Sequence, residues 1–413
     1  MSVVWRLVAV LVAGLVLASA AAGAPTKQGA PLYGLLERAG HDDLVRLDPS
    51  TLRPVGERLD VGEYRTAWAF SPDRSKLALG WSYTATLGRV GAVRIVDLHR
   101  WRSEQVIPLH GELSSLQAVS WVGDRLVLLV SSPRESDVIA LDARSGRALG
   151  RRTLEGVVAH AVPTVRGLTL LMSPRTGLGP ARVVRVDAAL RVHTVSLDRL
   201  SVGPGVTETQ DGEHISGRFN YAGFAMRSGA AAAIGYVLAA GAPPAVVDLG
   251  SLSVKYAASR TLTARTKSAE GSWRFAHWAG GDTVVYGGMD YNADGDGRRM
   301  GVDLVDTRTW SRRSLDPDAT TAAVGSALVL TWDSWPAAAR TLGVRAFGAD
   351  GTPRFSVLRA DSVGDIEITG LRALVRLSGT RPVGKVLDLR TGALVTTIRG
   401  NVPRLLIGRA AAW

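Results

Sequence analysis

The sequence predicts an all-β fold, a single β-propeller of four-stranded blades. Three observations predict it: a recurring hairpin unit, a second and more apolar hairpin between its copies, and complementary chain ends. The recurring unit is a run of alternating apolar residues, an acidic turn and a second β-like run. Repetition at this scale is typical of propellers and solenoids. The eight copies span 44–59, 93–109, 138–154, 183–197, 245–259, 301–315, 344–358 and 385–398.

An aspartate opens the turn of every copy, where it can accept hydrogen bonds from the amides of its own turn. Glycine where the chain reverses supplies the positive φ of a tight hairpin. Successive turn aspartates lie 38 to 61 residues apart, and a blade needs about 40–50 residues. We therefore expect eight blades with insertions near 199–218 and 287–300; seven is the alternative if 183–197 or 245–259 elaborates a neighbouring blade. The turn aspartates are Asp48, Asp97, Asp142, Asp187, Asp248, Asp306, Asp350 and Asp388.

The second hairpin is the inner pair of strands of each blade. Inner strands are buried on both faces, so their apolar runs are continuous rather than alternating. After its leader the chain opens with outer-type strands, and it finishes with an inner-type strand at 403–408. We expect these N- and C-terminal strands to pair and close the ring, which leaves no exposed sheet edge at the junction. The clearest inner hairpins are 66–82, 116–132, 273–289, 321–334 and 365–379.

The N-terminal segment has the pattern of a signal peptide. A short basic region at 1–6 precedes an apolar run at 7–17 and small residues at 18–24. We expect cleavage at about 20–24, which leaves residues 25–413 as the propeller domain of an exported protein, extracellular or in the cell envelope. The alternative is an uncleaved leader, which would be the protein's sole membrane contact.

Composition excludes several classes of function. The chain has no cysteine, which excludes disulfides, thiolate metal sites and a lipid-modified N-terminal cysteine. The net charge of +12 comes mainly from arginines that are spread along the chain. This spread predicts a solvated basic surface, with attraction to anionic cell-wall polymers or lipid headgroups as the alternative, and no nucleic-acid partner.

Short motifs add a resemblance to known propeller families. FSPDRSKLALG at 70–80 resembles the inner hairpin of WD40 repeats. LDARSGRALG at 141–150 and LDLRTGALV at 387–395 are similar to the repeat unit of quinoprotein-like (PQQ-like) and YVTN-type propellers. The Gly-His and Trp-Asp pairs of WD40 repeats and the terminal tryptophan of quinoprotein repeats are missing. The resemblance therefore implies architecture and carries over no cofactor site.

Local catalytic motifs are absent from the sequence. It contains no G-x-S-x-G, H-E-x-x-H or G-x-x-x-x-G-K-[ST], and no two histidines lie within four residues of each other. We interpret the chain as a non-enzymatic binding or scaffolding module for a protein or a cell-envelope polymer. The alternative is a hydrolase, lyase or quinone-dependent oxidoreductase with its active site at the central channel. Three or more His, Asp, Glu or Arg side chains converging there would favour that alternative; His160 and His277 are the candidate channel histidines.

One acidic loop has the pattern of a calcium site. Oxygen side chains at every second position, with a glycine at the bend, can wrap a hard cation. In the register that starts at Asn292 the twelfth position is a carboxylate, whereas in the register that starts at Asp290 it is a glycine. The candidate ligands of a structural Ca²⁺ are Asp290, Asn292, Asp294, Asp296 and Asp303, and the competing interpretation is a solvated acidic turn.

Tryptophans near one predicted turn form the candidate partner surface. Trp332 and Trp335 lie in LTWDSWPAAAR. Exposed aromatic side chains beside arginines suit a glycan or peptide partner. Packing in the core is the competing interpretation of both residues.

Overall fold

The computed structural model describes residues 31–38, 40–63, 67–81, 91–109, 115–131, 136–176, 179–202, 207–208, 214–215, 222–227, 233–238, 243–257, 273–291, 297–334, 341–407 and 409–410. Strands and turns make up these ranges, which contain no helix. Accordingly, no helix of membrane-spanning length and apolarity occurs among the described residues. The predicted signal peptide and the cleavage positions lie outside them.

The strands form eight antiparallel blades and one small additional hairpin. Blade 1 contains β1 (Leu32–Arg38), β2 (His41–Leu47) and β3 (Pro54–Glu63). Blade 2 contains β4 (Ala67–Phe70), β5 (Lys76–Trp81), β6 (Ala92–Asp97) and β7 (Arg102–Pro108). Blade 3 contains β8 (Ser115–Val122), β9 (Arg125–Ser131), β10 (Ser136–Asp142) and β11 (Ala148–Leu154). Blade 4 contains β12 (Val157–Thr164), β13 (Gly167–Ser173), β14 (Gly179–Asp187) and β15 (Val192–Val202). The additional hairpin contains β16 (Thr207–Glu208) and β17 (His214–Ile215).

The remaining blades have the same four-stranded plan. Blade 5 contains β18 (Gly223–Met226), β19 (Ile234–Leu238), β20 (Ala245–Asp248) and β21 (Ser253–Tyr256). Blade 6 contains β22 (Trp273–Gly280), β23 (Thr283–Tyr291), β24 (Gly297–Asp306) and β25 (Arg312–Asp316). Blade 7 contains β26 (Thr321–Gly325), β27 (Leu328–Trp332), β28 (Val344–Gly348) and β29 (Pro353–Val357). Blade 8 contains β30 (Val363–Thr369), β31 (Arg372–Leu377), β32 (Val383–Asp388) and β33 (Leu394–Arg399). The C-terminal strands are β34 (Arg404–Leu405) and β35 (Arg409–Ala410).

The ring is closed by strand pairing between the two ends of the chain. β34 is the innermost strand of blade 1 and pairs antiparallel with β1, with Gly34 opposite Leu405. Leu405 packs with Leu36 and Ile398, while the next residue, Leu406, packs in the core that contains Tyr33. The predicted eight-bladed propeller and its closure are confirmed, and both weak units, 183–197 and 245–259, belong to blades of their own.

The turn aspartates act as the sequence predicts. The Asp48 carboxylate accepts hydrogen bonds from the amides of Ser50 (2.9 Å) and Thr51 (2.7 Å). All eight predicted aspartates have a lowered pKa. For Asp48 the pKa falls to about 2 because the Ser50 hydroxyl and these amides donate to the carboxylate. Blade 7 differs: the amide of Gly348, two residues before Asp350, makes the bond that closes the turn.

In six of the eight blades the residue four positions after the turn aspartate adopts a left-handed conformation; blades 4 and 7 are the exceptions. Gly146 (φ 71°) and Gly392 (φ 75°) supply it in blades 3 and 8, as the SG and TG motifs predict. In other blades a leucine or tryptophan stands there instead, such as Leu52 (φ 55°) and Leu252 (φ 54°). A side chain other than glycine's makes this conformation costly by about 1–2 kcal/mol. The turn geometry is therefore kept even where the sequence does not favour it.

Candidate functional site

The two histidines that the sequence singles out lie on strands at the inner edge of the ring. His160 lies on β12 and His277 on β22, the innermost strands of blades 4 and 6. Burial lowers the pKa of His160 to about 4. His277 has solvent-exposed surface, and desolvation by the protein atoms packed around it lowers its pKa. Blade 5 separates the two histidines, and the described residues contain no group of three or more acidic or histidine side chains able to hold a metal.

A charged cluster does converge at the inner edge of blade 8. Arg376 donates to Asp365 (3.1 Å) and to Glu367 (2.8 Å). The same guanidinium donates to the carbonyl of Pro403, and Glu367 accepts the amide of Leu405 at 2.9 Å. The pKa of Glu367 is raised by burial, against the opposing effect of Arg376. We call Asp365, Glu367 and Arg376 the closure latch, because they attach the C-terminal strand to the neighbouring blade.

The closure latch is the convergence of charged side chains that the enzyme alternative requires. Its polar groups are, however, engaged with each other and with the backbone of the closing strand. Further contacts reinforce the same junction: Arg404 lies 3.5 Å from Asp42, and Arg53 donates to the Thr396 hydroxyl at 2.8 Å. The geometry therefore assigns these charges to ring closure.

The C-terminal strand continues along the inner wall of the ring. β35 pairs with β4, so that Arg409 lies opposite Ala69 and Ala410 opposite Trp68. β35 also contacts β8 and β12, the inner strands of blades 3 and 4. The end of the described chain therefore follows the inner edges of three blades.

The acidic loop connects β23 to β24 in blade 6. Asp290, at the end of β23, forms an ion pair with the buried Arg274. Asn292, Asp294 and Asp296 lie outside the described residues. Asp303 lies opposite Tyr286, five positions along the strand pair from the last described pair of the hairpin, Tyr291 and Gly297, which is about 17 Å at 3.4 Å per residue. Asp303 therefore lies along the strand pair from the described ends of the loop, and the predicted calcium site itself falls on residues outside the described ones.

Asp303 belongs instead to a buried polar cluster between blades 5 and 6. It lies 2.6 Å from the guanidinium of Arg312 and opposite Tyr286. Burial raises the pKa of Asp303, and Arg312 opposes that shift. Burial also raises the pKa values of Tyr236 and Tyr286. Sequence reasoning missed this cluster, although an acid within the apolar run of β24 was a signal for it.

The two candidate partner tryptophans do not form a surface patch among the described residues. Trp332 is 3% exposed and packs in the core that contains Val344 and Ile366. It therefore presents no face to a partner. Trp335 lies outside the described residues.

A groove opens where blade 8 meets blade 1. The space is about 580 Å³ and lies between β3 and β33. Its lining contains three arginines and no carboxylate. The lining residues are Leu36, Arg53, Pro54, Arg58, Thr397, Ile398, Arg399 and Asn401.

Thr396 of blade 8, beside the groove, stands where blades 2 and 7 have a longer side chain. Gln105 in blade 2 and Phe355 in blade 7 each pair across the hairpin with the residue two positions before the turn-opening residue, as Thr396 does in blade 8. Each reaches the turn glycine of the next blade; a Cβ added to Gly392 would lie 2.7 Å from the Phe355 ring. Thr396 has a shorter side chain, and Arg53 of blade 1 donates a hydrogen bond to its hydroxyl at 2.8 Å.

Exposed apolar side chains occur on the outer strands of four consecutive blades that include this junction. Leu394 (50% exposed) and Val395 (38%) lie on the outer strand of blade 8, and Val55 (45%) on that of blade 1. Val106 and Leu149 follow on the outer strands of blades 2 and 3. The described outer strands of blades 4 to 7 carry no large apolar side chain exposed to this degree. We call these five residues the apolar rim.

Comparison with known proteins shows the fold. No family model and no curated protein matches the sequence. The dihydro-heme d1 dehydrogenase NirN in complex with DHE matches with 13% identity and a TM-score of 0.59, over 90% of this chain and 74% of that one. Sqt1 of Chaetomium thermophilum, bound to the N-terminus of the ribosomal protein L10, matches with 15% identity and a TM-score of 0.51, over 81% and 87% of the two chains. Apo AztD from Citrobacter koseri matches with 12% identity and a TM-score of 0.51, over 93% and 98%.

Proposed function

We propose that this chain is an exported, non-catalytic propeller that binds a protein partner through the apolar rim. The observation that carries the proposal is the one-sided distribution of exposed apolar residues on the outer strands of four consecutive blades. Exposed apolar residues scattered evenly over a surface are normal, whereas their concentration on one part of a protein favours an interaction site. A protein partner fits this surface better than a cell-envelope polymer, because polymer recognition would rest on polar and charged groups.

The non-catalytic part of the proposal rests on the closure latch. Arg376 and Glu367 each have two or more partners, which include the backbone of the closing strand. A catalytic acid or base must instead reach a proton on the substrate. Export is supported by the signal-peptide pattern of residues 1–24. Sequencing the N-terminus of the secreted chain tests export, and a start between residues 21 and 25 is expected.

The partner surface is tested by site-specific photo-crosslinking in cells that produce the protein. A photoreactive residue replaces Val395 on the apolar rim or, as the control, Leu252, which is similarly exposed on blade 5. We expect a protein adduct from position 395 and none from position 252. Equal adduct yields at the two positions, or no adduct from either, would contradict a partner surface on the apolar rim.

A further inference from the structure

We propose, resting on that function, that the groove between β3 and β33 binds an extended segment of the partner in which acidic and apolar residues alternate. The groove lies on the strands that carry part of the apolar rim: Val55 follows the lining residue Pro54 in β3, and Leu394 and Val395 begin the strand β33 that supplies Thr397 and Ile398. Two properties define its occupant: uncompensated positive charge in the walls, and apolar residues in the floor and around the edge.

The walls of the groove carry positive charge without a matching carboxylate. Arg399 makes no ion pair with another described residue, and Arg58 lies at the weak distance of 3.9 Å from Asp43. Arg53 is engaged with Thr396 and with the carbonyl of Thr397, and these contacts neutralise none of its charge. Guanidinium groups bind carboxylates through paired hydrogen bonds. The groove is therefore complementary to an anionic ligand.

The apolar parts of the groove favour a peptide over an anionic polymer. Leu36 and Ile398 contribute to the lining, and both pack in the core that joins blades 8 and 1. A phosphate polymer has no side chains that would bury Val55, Leu394 or Val395, whereas a peptide with apolar residues does.

The strands beside the groove offer backbone groups as well. β3 and β33 are the outermost strands of their blades, so each has an outer edge that pairs with no strand of its own sheet. Such an edge can pair with an added strand of a partner, and the backbone bonds then give affinity while alternate side chains give specificity. A strand added there would turn alternate side chains to the groove, which is why the ligand should alternate acidic and apolar residues.

The test measures binding of a fluorescein-labelled decapeptide of alternating Glu and Val to the full chain by fluorescence anisotropy. The groove variant is Arg58→Ser with Arg399→Ser. The matched control is Arg152→Ser with Arg354→Ser, which removes two exposed arginines from outer strands away from the groove. We expect affinity to fall about tenfold or more in the groove variant, since charge-assisted bonds are lost, and to change less than about twofold in the control. Arg58→Lys with Arg399→Lys should restore part of it.

Three results would overturn the inference. The first is equal binding by both variants, which would indicate attraction to the basic surface in general. The second is equal binding of an alternating Lys and Val peptide. The third is that labelled polyphosphate binds more tightly than the peptide and that the groove variant no longer binds it, which would assign the groove to phosphate polymers. An adduct at position 395 without peptide binding would refute the groove ligand alone, whereas peptide binding without an adduct would refute the proposed partner surface.

Discussion

Removal of Glu367 should loosen the closing strand in a measurable way. The Glu367 carboxylate accepts the amide of Leu405 at 2.9 Å and one bond from Arg376 at 2.8 Å. In Glu367→Ala the Leu405 amide loses its acceptor, which costs about 1–3 kcal/mol for a buried donor. Arg376 keeps its hydrogen bonds to Asp365 and to the Pro403 carbonyl, so the loss of its bond to Glu367 lowers the free energy of unfolding by less. We expect the free energy of unfolding to fall by about 2–3 kcal/mol in total.

Urea unfolding of the full chain measures this change, and hydrogen exchange locates it. The Leu405 amide should exchange faster in Glu367→Ala, and Glu367→Gln should lose less because its side-chain carbonyl still accepts the amide. Glu57→Ala is the control, since Glu57 is exposed on β3 and such surface changes stay within about 0.5 kcal/mol. If Glu367→Ala is as stable as Glu57→Ala and exchange at Leu405 is unchanged, the closure latch does not hold the strand.

The remaining predictions concern the turns and the acidic loop. Leu252→Gly should stabilise the chain by up to about 1 kcal/mol, because glycine relieves the cost of the left-handed φ while little packing is lost. Gly392→Ala should destabilise the chain, since the added Cβ would meet the ring of Phe355 in the preceding blade. The urea midpoints of the two variants, compared with that of the wild type, measure both effects. The folded-state pKa of Asp48 is about 2, below the value of about 3.9 in an unfolded chain, so its stabilisation is complete above about pH 5 and is lost as the pH falls from there towards 2. Asp48→Asn should therefore weaken the pH dependence of the urea midpoint in that window, and an unchanged dependence would contradict this reasoning. A calcium ion in the acidic loop should give a heat of binding that disappears in Asp294→Ala and persists in Asp303→Asn; loss in both variants would place Asp303 in the site after all.

The features that the sequence predicts well are local ones. A turn aspartate bonds to amides two and three residues away, so its motif is continuous in sequence and repeats in every blade. Even here one assignment in blade 7 is displaced: Gly348 closes the turn, and Asp350 bonds two residues further on to the amide of Thr352. A sequence pattern does not distinguish these two positions, because either would place an acid in a tight turn.

The features that the sequence did not predict depend on ring closure. Residues 53–58 and 397–401 form one groove only because β34 joins the two ends of the chain. The same closure brings Glu367 to the amide of Leu405. An acid between two isoleucines of an inner strand was the available signal, but its partner is a backbone amide that no motif marks. Asp303 was assigned to a loop by spacing alone, whereas strand register places it beside Tyr286.

Hydrogen exchange of the full chain, with and without the alternating Glu and Val peptide, tests the central claim most directly. Binding at the junction of blades 8 and 1 predicts slower exchange within β3 and β33 and unchanged exchange within β21 and β29, the outer strands of blades 5 and 7. Protection spread evenly over the outer strands, or confined to blades 4 to 7, would contradict a binding site at the ring closure.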